Sequence, residues 1–203
     1  AYLEESPQLR WVISRGSEGT APSRTAKVFE ESGWAIFRDK WPAEIYAVVQ
    51  SDFNSFGHYQ EDDTSILISA YGRDLIIDTG LHGYNKDPFD EYMRKSRAHN
   101  VLIVDETDFN FDLKNTGLSG ITRSVDENSR ESGRGVAVEL THPHYDSLDV
   151  KVYRAVGSID ATSFVVRDRI ETRNTHDYTQ LYHFAPGAEV LEIEKGILRV
   201  SWG

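Results

Sequence analysis

The segment Lys151-Val152-Tyr153-Arg154-Ala155-Val156 alternates apolar and polar side chains with a period of two. Successive side chains of a strand point to opposite faces, so this segment predicts a strand with one buried face. Runs of the same character extend on both sides of it. Downstream they cover residues 164–170, 179–184, 190–193 and 197–202; upstream they cover 136–141, 100–104, 45–49 and 34–37. Residues 65–77 read as a hairpin turning at Gly72-Arg73. Residues 105–134 are polar and turn-rich, with weak strand signals. Helical signals are few: Ser6-Pro7 caps a short helix running to about Arg15, and Asp87-Pro88 opens another. Many short strands at regular spacing predict an all-β fold, an antiparallel β-sandwich of the supersandwich kind with a short N-terminal helix.

The chain has 203 residues, of which 39% are hydrophobic and 27% charged, the balance of a folded globular protein. No apolar run approaches the length of a membrane span. Its net charge of −11 argues against nucleic-acid or membrane-surface binding, and a polyanionic partner would need a local basic patch. There is no cysteine, which excludes disulfides and thiolate chemistry and leaves periplasmic, secreted and cytosolic locations open. The start, Ala1-Tyr2-Leu3-Glu4, reads as mid-protein, with no signal peptide.

Polar side chains gather at the ends of the predicted strands. His58-x-Gln60-x-Asp62-x-x-Ser65 precedes one strand, Asp78-Thr79-Gly80 follows its partner, and Ser96-Arg97-Ala98-His99-Asn100 leads into a third. Arg94, Lys95 and Arg97 form a basic cluster beside His99, with Lys86 nearby. Arginine forks suit sulfate and carboxylate groups, whereas internal pairing of Arg97 with Asp78 or Asp62 is the plainer alternative. Tyr84 lies in a loop, where its ring can stack on a sugar or its hydroxyl can join proton transfer. Glu61 and Asp63 read as solvated, Asp62 as a loop-capping acid. His142, His144 and His176 fall in or beside turns and carry no assigned role.

These motifs, with Ala70-Tyr71-Gly72-Arg73-Asp74-Leu75-Ile76-Ile77-Asp78-Thr79-Gly80 and Leu181-Tyr182-His183-Phe184-Ala185-Pro186-Gly187, resemble in order and spacing the heparinase II/III-like domain of polysaccharide lyases, over residues 28–190 or so. The resemblance implies a C-terminal β-sandwich that works with an incomplete (α/α) toroid. Residues 1–24 would be the remnant of that helical domain with its linker, and 25–203 the sandwich. It implies β-elimination on a uronate-containing acidic polysaccharide, heparin- or heparan-sulfate-like or alginate-like, in the periplasm or outside the cell. His58, otherwise a loop histidine bonded to backbone, becomes the catalytic imidazole; His183 is a weaker alternative. Tyr84, Arg94 and Arg97 become substrate-binding residues. The resemblance also implies that Gln60, Asp78 and His99 coordinate one structural divalent cation (zinc, manganese or calcium), with a hydrogen-bonded trio as the alternative. Family members with His at the Gln60 position have a softer ligand there. The toroid's asparagine and tyrosine have no counterpart in these residues, so the chain by itself is expected to be inactive. The rival reading is a non-catalytic sugar-binding or domain-packing module.

No Gly-x-Ser-x-Gly turn, phosphate-cradling Gly-Lys-Ser/Thr loop or His-Glu-x-x-His helix is present. Acid pairs are too common in so acidic a chain for their spacing to support a glycosidase.

Overall fold

Helix α1, Pro7–Ile13, begins where Ser6 Oγ accepts a hydrogen bond from Leu9 N at 3.2 Å and Pro7 occupies the first turn. It stops two residues earlier than expected, because Arg15 and Gly16 take left-handed backbone conformations, with φ of 54° and 90°. The following linker folds back on the helix: Thr20 N donates to Pro7 O at 3.1 Å. A side chain at Gly19 would put its Cβ 2.2 Å from Pro7 O, so glycine is required there. The Trp11 and Trp41 rings meet edge to face at 6.1 Å and set the helix against the strands.

The structure, a computed structural model, describes residues 6–51, 59–85, 87–109, 119–124, 137–158 and 162–202. Five strands form an antiparallel meander in chain order: β1 (Ala26–Phe29), β2 (Trp34–Arg38), β3 (Ile45–Gln50), β4 (Ser65–Ala70) and β5 (Arg73–Ile76). The hairpin turn between β4 and β5 falls at Tyr71 and Gly72, both at positive φ, one residue earlier than the expected Gly72-Arg73. Asp87 accepts from Phe89 N and Asp90 N to cap helix α2, Pro88–Met93. Strand β6 is Leu102–Val104. A second antiparallel sheet has the order β10-β9-β8-β7, built from β7 (Gly120–Ser124), β8 (Ala137–His142), β9 (Val150–Ser158) and β10 (Phe164–Thr172). Strand β11 (Tyr178–Gln180) pairs with β6, and β12 (Ala188–Glu194) pairs with β13 (Ile197–Trp202).

Alternation decides what is buried. In β3 the buried positions are Ile45, Ala47 and Val49; in β9 they are Val150, Val152, Arg154, Val156 and Ser158. One core closes between the two large sheets, where Phe37, Ala47, Val49 and Ile66 meet Val138, Leu140 and Val156. That face-to-face contact makes the sandwich. A second core joins β6 to β9 through Val101, Ile103, Val104, Phe109, Tyr145 and Val152. The predicted strand at 179–184 is a true ladder only over Tyr178–Gln180, because His183 N donates to the Asn100 side chain, leaving a lone bridge at Phe184.

Phe37 is 1% exposed and sits in the first core. Its replacement by alanine is expected to lower unfolding stability by about 3–5 kcal/mol, read from a denaturant midpoint.

Candidate functional site

Residues 59–64 lead into β4 and are fixed by buried acids. Glu61, 6% exposed, bonds Lys95 Nζ at 2.8 Å, Ser96 N at 3.0 Å and Phe109 N at 3.2 Å. Asp63, 1% exposed, meets His144 Nε2 at 2.5 Å and accepts from Ser51 and Ser119 hydroxyls. The expectation that these two acids are solvated is therefore wrong: each carboxylate is satisfied by several donors, which offsets the cost of leaving water. Between them Asp62 is bonded by the Gln50 amide.

Gln60, Asp78 and His99 come into one neighbourhood. Gln60 and Asp78 line a cavity of about 190 Å³ with Gln50, Asp62 and Ser65. Asp78 Oδ2 lies 2.7 Å from Nδ1 of the fully buried His99, and its Oδ1 accepts from Gly80 N at 2.8 Å. Burial opposes ionisation of Asp78, yet the hydrogen bond with His99, together with that from Gly80 N–H, holds its pKa below the ordinary carboxylate value. Gln60 Oε1 and His99 Nε2 are both buried with no hydrogen-bond partner among the described residues. If His99 Nδ1–H donates to Asp78, Nε2 carries a lone pair, the arrangement seen in metal-bound histidines with a supporting carboxylate. An amide oxygen, a carboxylate and an imidazole nitrogen fit a divalent cation. Among the described residues no three His, Cys, Asp or Glu side chains form a ligand set, so a cation here would need an amide oxygen such as that of Gln60 among its donors.

His58 and Lys86 lie outside the described residues. Arg94 and Tyr84 come together: the guanidinium stands 5.5 Å from the ring centroid and bonds Gly83 O at 3.3 Å, while Tyr84 is 61% exposed. Arg97 pairs internally, but with Glu106 at 2.9 Å and more loosely with Asp108 at 3.9 Å, not with Asp78 or Asp62. Lys95 is taken by Glu61.

Two buried groups went unread in the sequence. The His142 and His144 rings lie 4.9 Å apart, each 4.6 Å from Phe109, and Tyr59 Oη is 3.3 Å from His144 Nε2. The second group is Arg154, fully buried and bonded to Asp168, Thr64 O and Asn100 O. A signal for both existed: His142 is in phase with Val138 and Leu140, and Arg154 with Val152 and Val156.

The family described as heparinase II/III-like, C-terminal, matches residues 21–201. A heparin-sulfate lyase of Bacteroides stercoris is 27% identical over 163 residues, covering 80% of this chain and 23% of that protein. One from Bacteroides thetaiotaomicron is 24% identical over 82% of this chain and 25% of its own length. The chain thus spans about a quarter of the length of the curated relatives it matches. The solved heparan sulfate lyase of Pedobacter heparinus superposes with a TM-score of 0.81 at 18% identity, over 94% of this chain and 29% of that one, a likeness of fold.

Burial holds the His142 pKa well below its ordinary value, and the nearby His144 and Arg154 charges push the same way. An imidazole kept neutral in the fold takes up a proton on unfolding once the pH drops below about 6.5. Its contribution is complete above that value and is lost as pH falls towards the depressed folded value, by up to about 1.4 kcal/mol per pH unit. Burial likewise depresses His183, so it acts in the same direction. Unfolding midpoints measured from neutral downwards should decline below about pH 6.5, and His142→Phe should flatten the slope.

Proposed function

The chain belongs to the heparinase II/III-like C-terminal family, and from that premise we propose that it is the β-sandwich part of a lyase that cleaves a uronate-containing acidic polysaccharide by β-elimination. The observation that carries this reading is the cluster of Gln60, Asp78 and His99, whose amide oxygen and imidazole nitrogen lie buried without a partner among the described residues, with Gln60 two residues in sequence from His58. The heparin-sulfate lyase relatives favour a heparan-sulfate-like substrate.

The reaction removes the C5 proton beside the uronate carboxylate, forms the C4–C5 double bond and breaks the bond from C4 to the glycosidic oxygen, which leaves with a proton. His58 exchanges protons in this step, the work an imidazole does near neutral pH. Arg94, braced by Tyr84 and Gly83 O, presents a guanidinium to a carboxylate or sulfate. Tyr84 offers an exposed ring to the sugar. Arg97, already paired with Glu106, would have to exchange that carboxylate for an anionic group of the substrate.

A divalent cation held by Gln60, Asp78 and His99 would supply a fixed positive charge tying the loop before β4 to the segments at 78 and 99. Replacing a histidine nitrogen by the Gln60 oxygen tilts the set from zinc towards manganese or calcium. Residues 1–24 are the end of a helical toroid domain that completes the site, and 25–203 are the sandwich. A polymeric polyanion does not cross a membrane, which accords with a periplasmic or secreted location.

With the toroid domain supplied, heparan sulfate should give the ultraviolet absorbance of an unsaturated uronate, and His58→Ala should slow it about 10²- to 10⁴-fold. Wild-type turnover in that variant would end the assignment. Titration calorimetry of the 203-residue chain should detect one calcium, manganese or zinc ion, and His99→Ala should weaken it about tenfold or more. A chain that binds none of the three lacks the cation site.

A further inference from the structure

We propose that Arg154 and Asn100 act as a positioning clamp that holds the segments bearing Gln60, Asp78, His99 and His183 at their working distances. The functional meaning rests on the cation-site reading above; the clamp itself does not.

Arg154 is 0% exposed, yet each of its three guanidinium nitrogens makes a hydrogen bond. Nε and Nη2 donate to the two oxygens of Asp168 at 2.7 and 2.8 Å, while Nη1 donates to Asn100 O at 2.7 Å and Thr64 O at 3.2 Å. The planar fork fixes the direction of all these bonds at once, which a lysine ammonium does not. Thr64 ends the Gln60 loop with φ of 71°, a costly conformation for a β-branched residue, and its carbonyl is one that Arg154 holds.

Asn100 extends the grip. Its Nδ2 donates to Ile66 O at 2.9 Å and to Ile77 O at 2.8 Å, and its Oδ1 accepts from His183 N at 2.7 Å. Ile77 adjoins Asp78, and Asn100 adjoins His99. One guanidinium and one amide therefore fasten four segments on the side of β4 where its ladder with β5 has ended. A buried ion pair is commonly no more stabilising than apolar packing of the same volume, so its place here is better explained by geometry than by stability.

The test separates positioning from stability. Arg154→Met removes the carbonyl contacts, Asp168→Asn keeps them while weakening the ion pair, and Arg154→Lys keeps the charge without the fork. Long-range ¹H–¹⁵N spectra of the metal-free chain report whether His99 holds one tautomer with its Nδ1 proton bonded to Asp78. Wild type and Asp168→Asn should keep that signature; Arg154→Met should lose it while remaining folded by circular dichroism. If Arg154→Met does not fold, Arg154→Lys makes the same comparison. Calcium, manganese or zinc affinity should fall about 10- to 100-fold in the Arg154 variants and stay within a few-fold in Asp168→Asn. An unchanged His99 signature in a folded Arg154 variant, or equal losses with Asp168→Asn, would overturn the clamp. A wild-type chain that holds the His99 tautomer but binds no metal would overturn the cation site and leave the clamp standing.

Discussion

A guanidinium buried between the layers is the constraint that organises the rest. Taking Arg154 out of water is tolerable only if its donors find acceptors, and those acceptors come from three places: Asp168 on the neighbouring strand, Thr64 O before β4, and Asn100 O after His99. Asp168 is its direct cross-strand partner in the β9–β10 register. A slip of one residue in that pairing would turn the carboxylate to the opposite face and leave the cation unpaired. One side chain thus links the β9–β10 register to the segments before β4 and after His99.

The same logic applies to the acids. Part of the chain's negative charge is turned inward: Glu61, Asp63, Asp78 and Asp168 are all engaged with internal donors. Glu61 ties the loop before β4 to Ser96 and Phe109, and Asp63 ties it to His144. The loop that leads from His58 into β4 is therefore anchored on both flanks, although it has no regular secondary structure of its own.

The strands were legible because alternation reports burial directly, as in 45–50 and 150–158, and the two helix starts because Ser6-Pro7 and Asp87-Pro88 cap in a recognisable way. Gln60, Asp78 and His99 were legible only through the order of motifs, since nothing in their spacing brings them together. The buried acids were not legible. The partners of Glu61 lie 34 to 48 residues away in sequence and those of Asp63 12 to 81, and an acid in a loop with no partner nearby reads as solvated. Arg154 and His142 each occupy an inward position of a strand with clear alternation, and a polar residue in an apolar phase signals a buried partner that the sequence alone does not name. The strand at 179–184 was overextended because an asparagine side chain takes the place of a strand at His183.

The β12–β13 ribbon has a consequence of its own. Val190, Leu191, Ile193, Ile197 and Leu198 are all exposed on it, and no third strand pairs with either edge among the described residues. An open apolar edge is a template on which like molecules stack. Glu189, Glu192 and Glu194 guard β12 against this, since a second β12 laid alongside would bring carboxylates towards carboxylates. That gatekeeping is electrostatic, so salt that screens the carboxylates weakens it, and the ribbon becomes the place where the molecules begin to cohere.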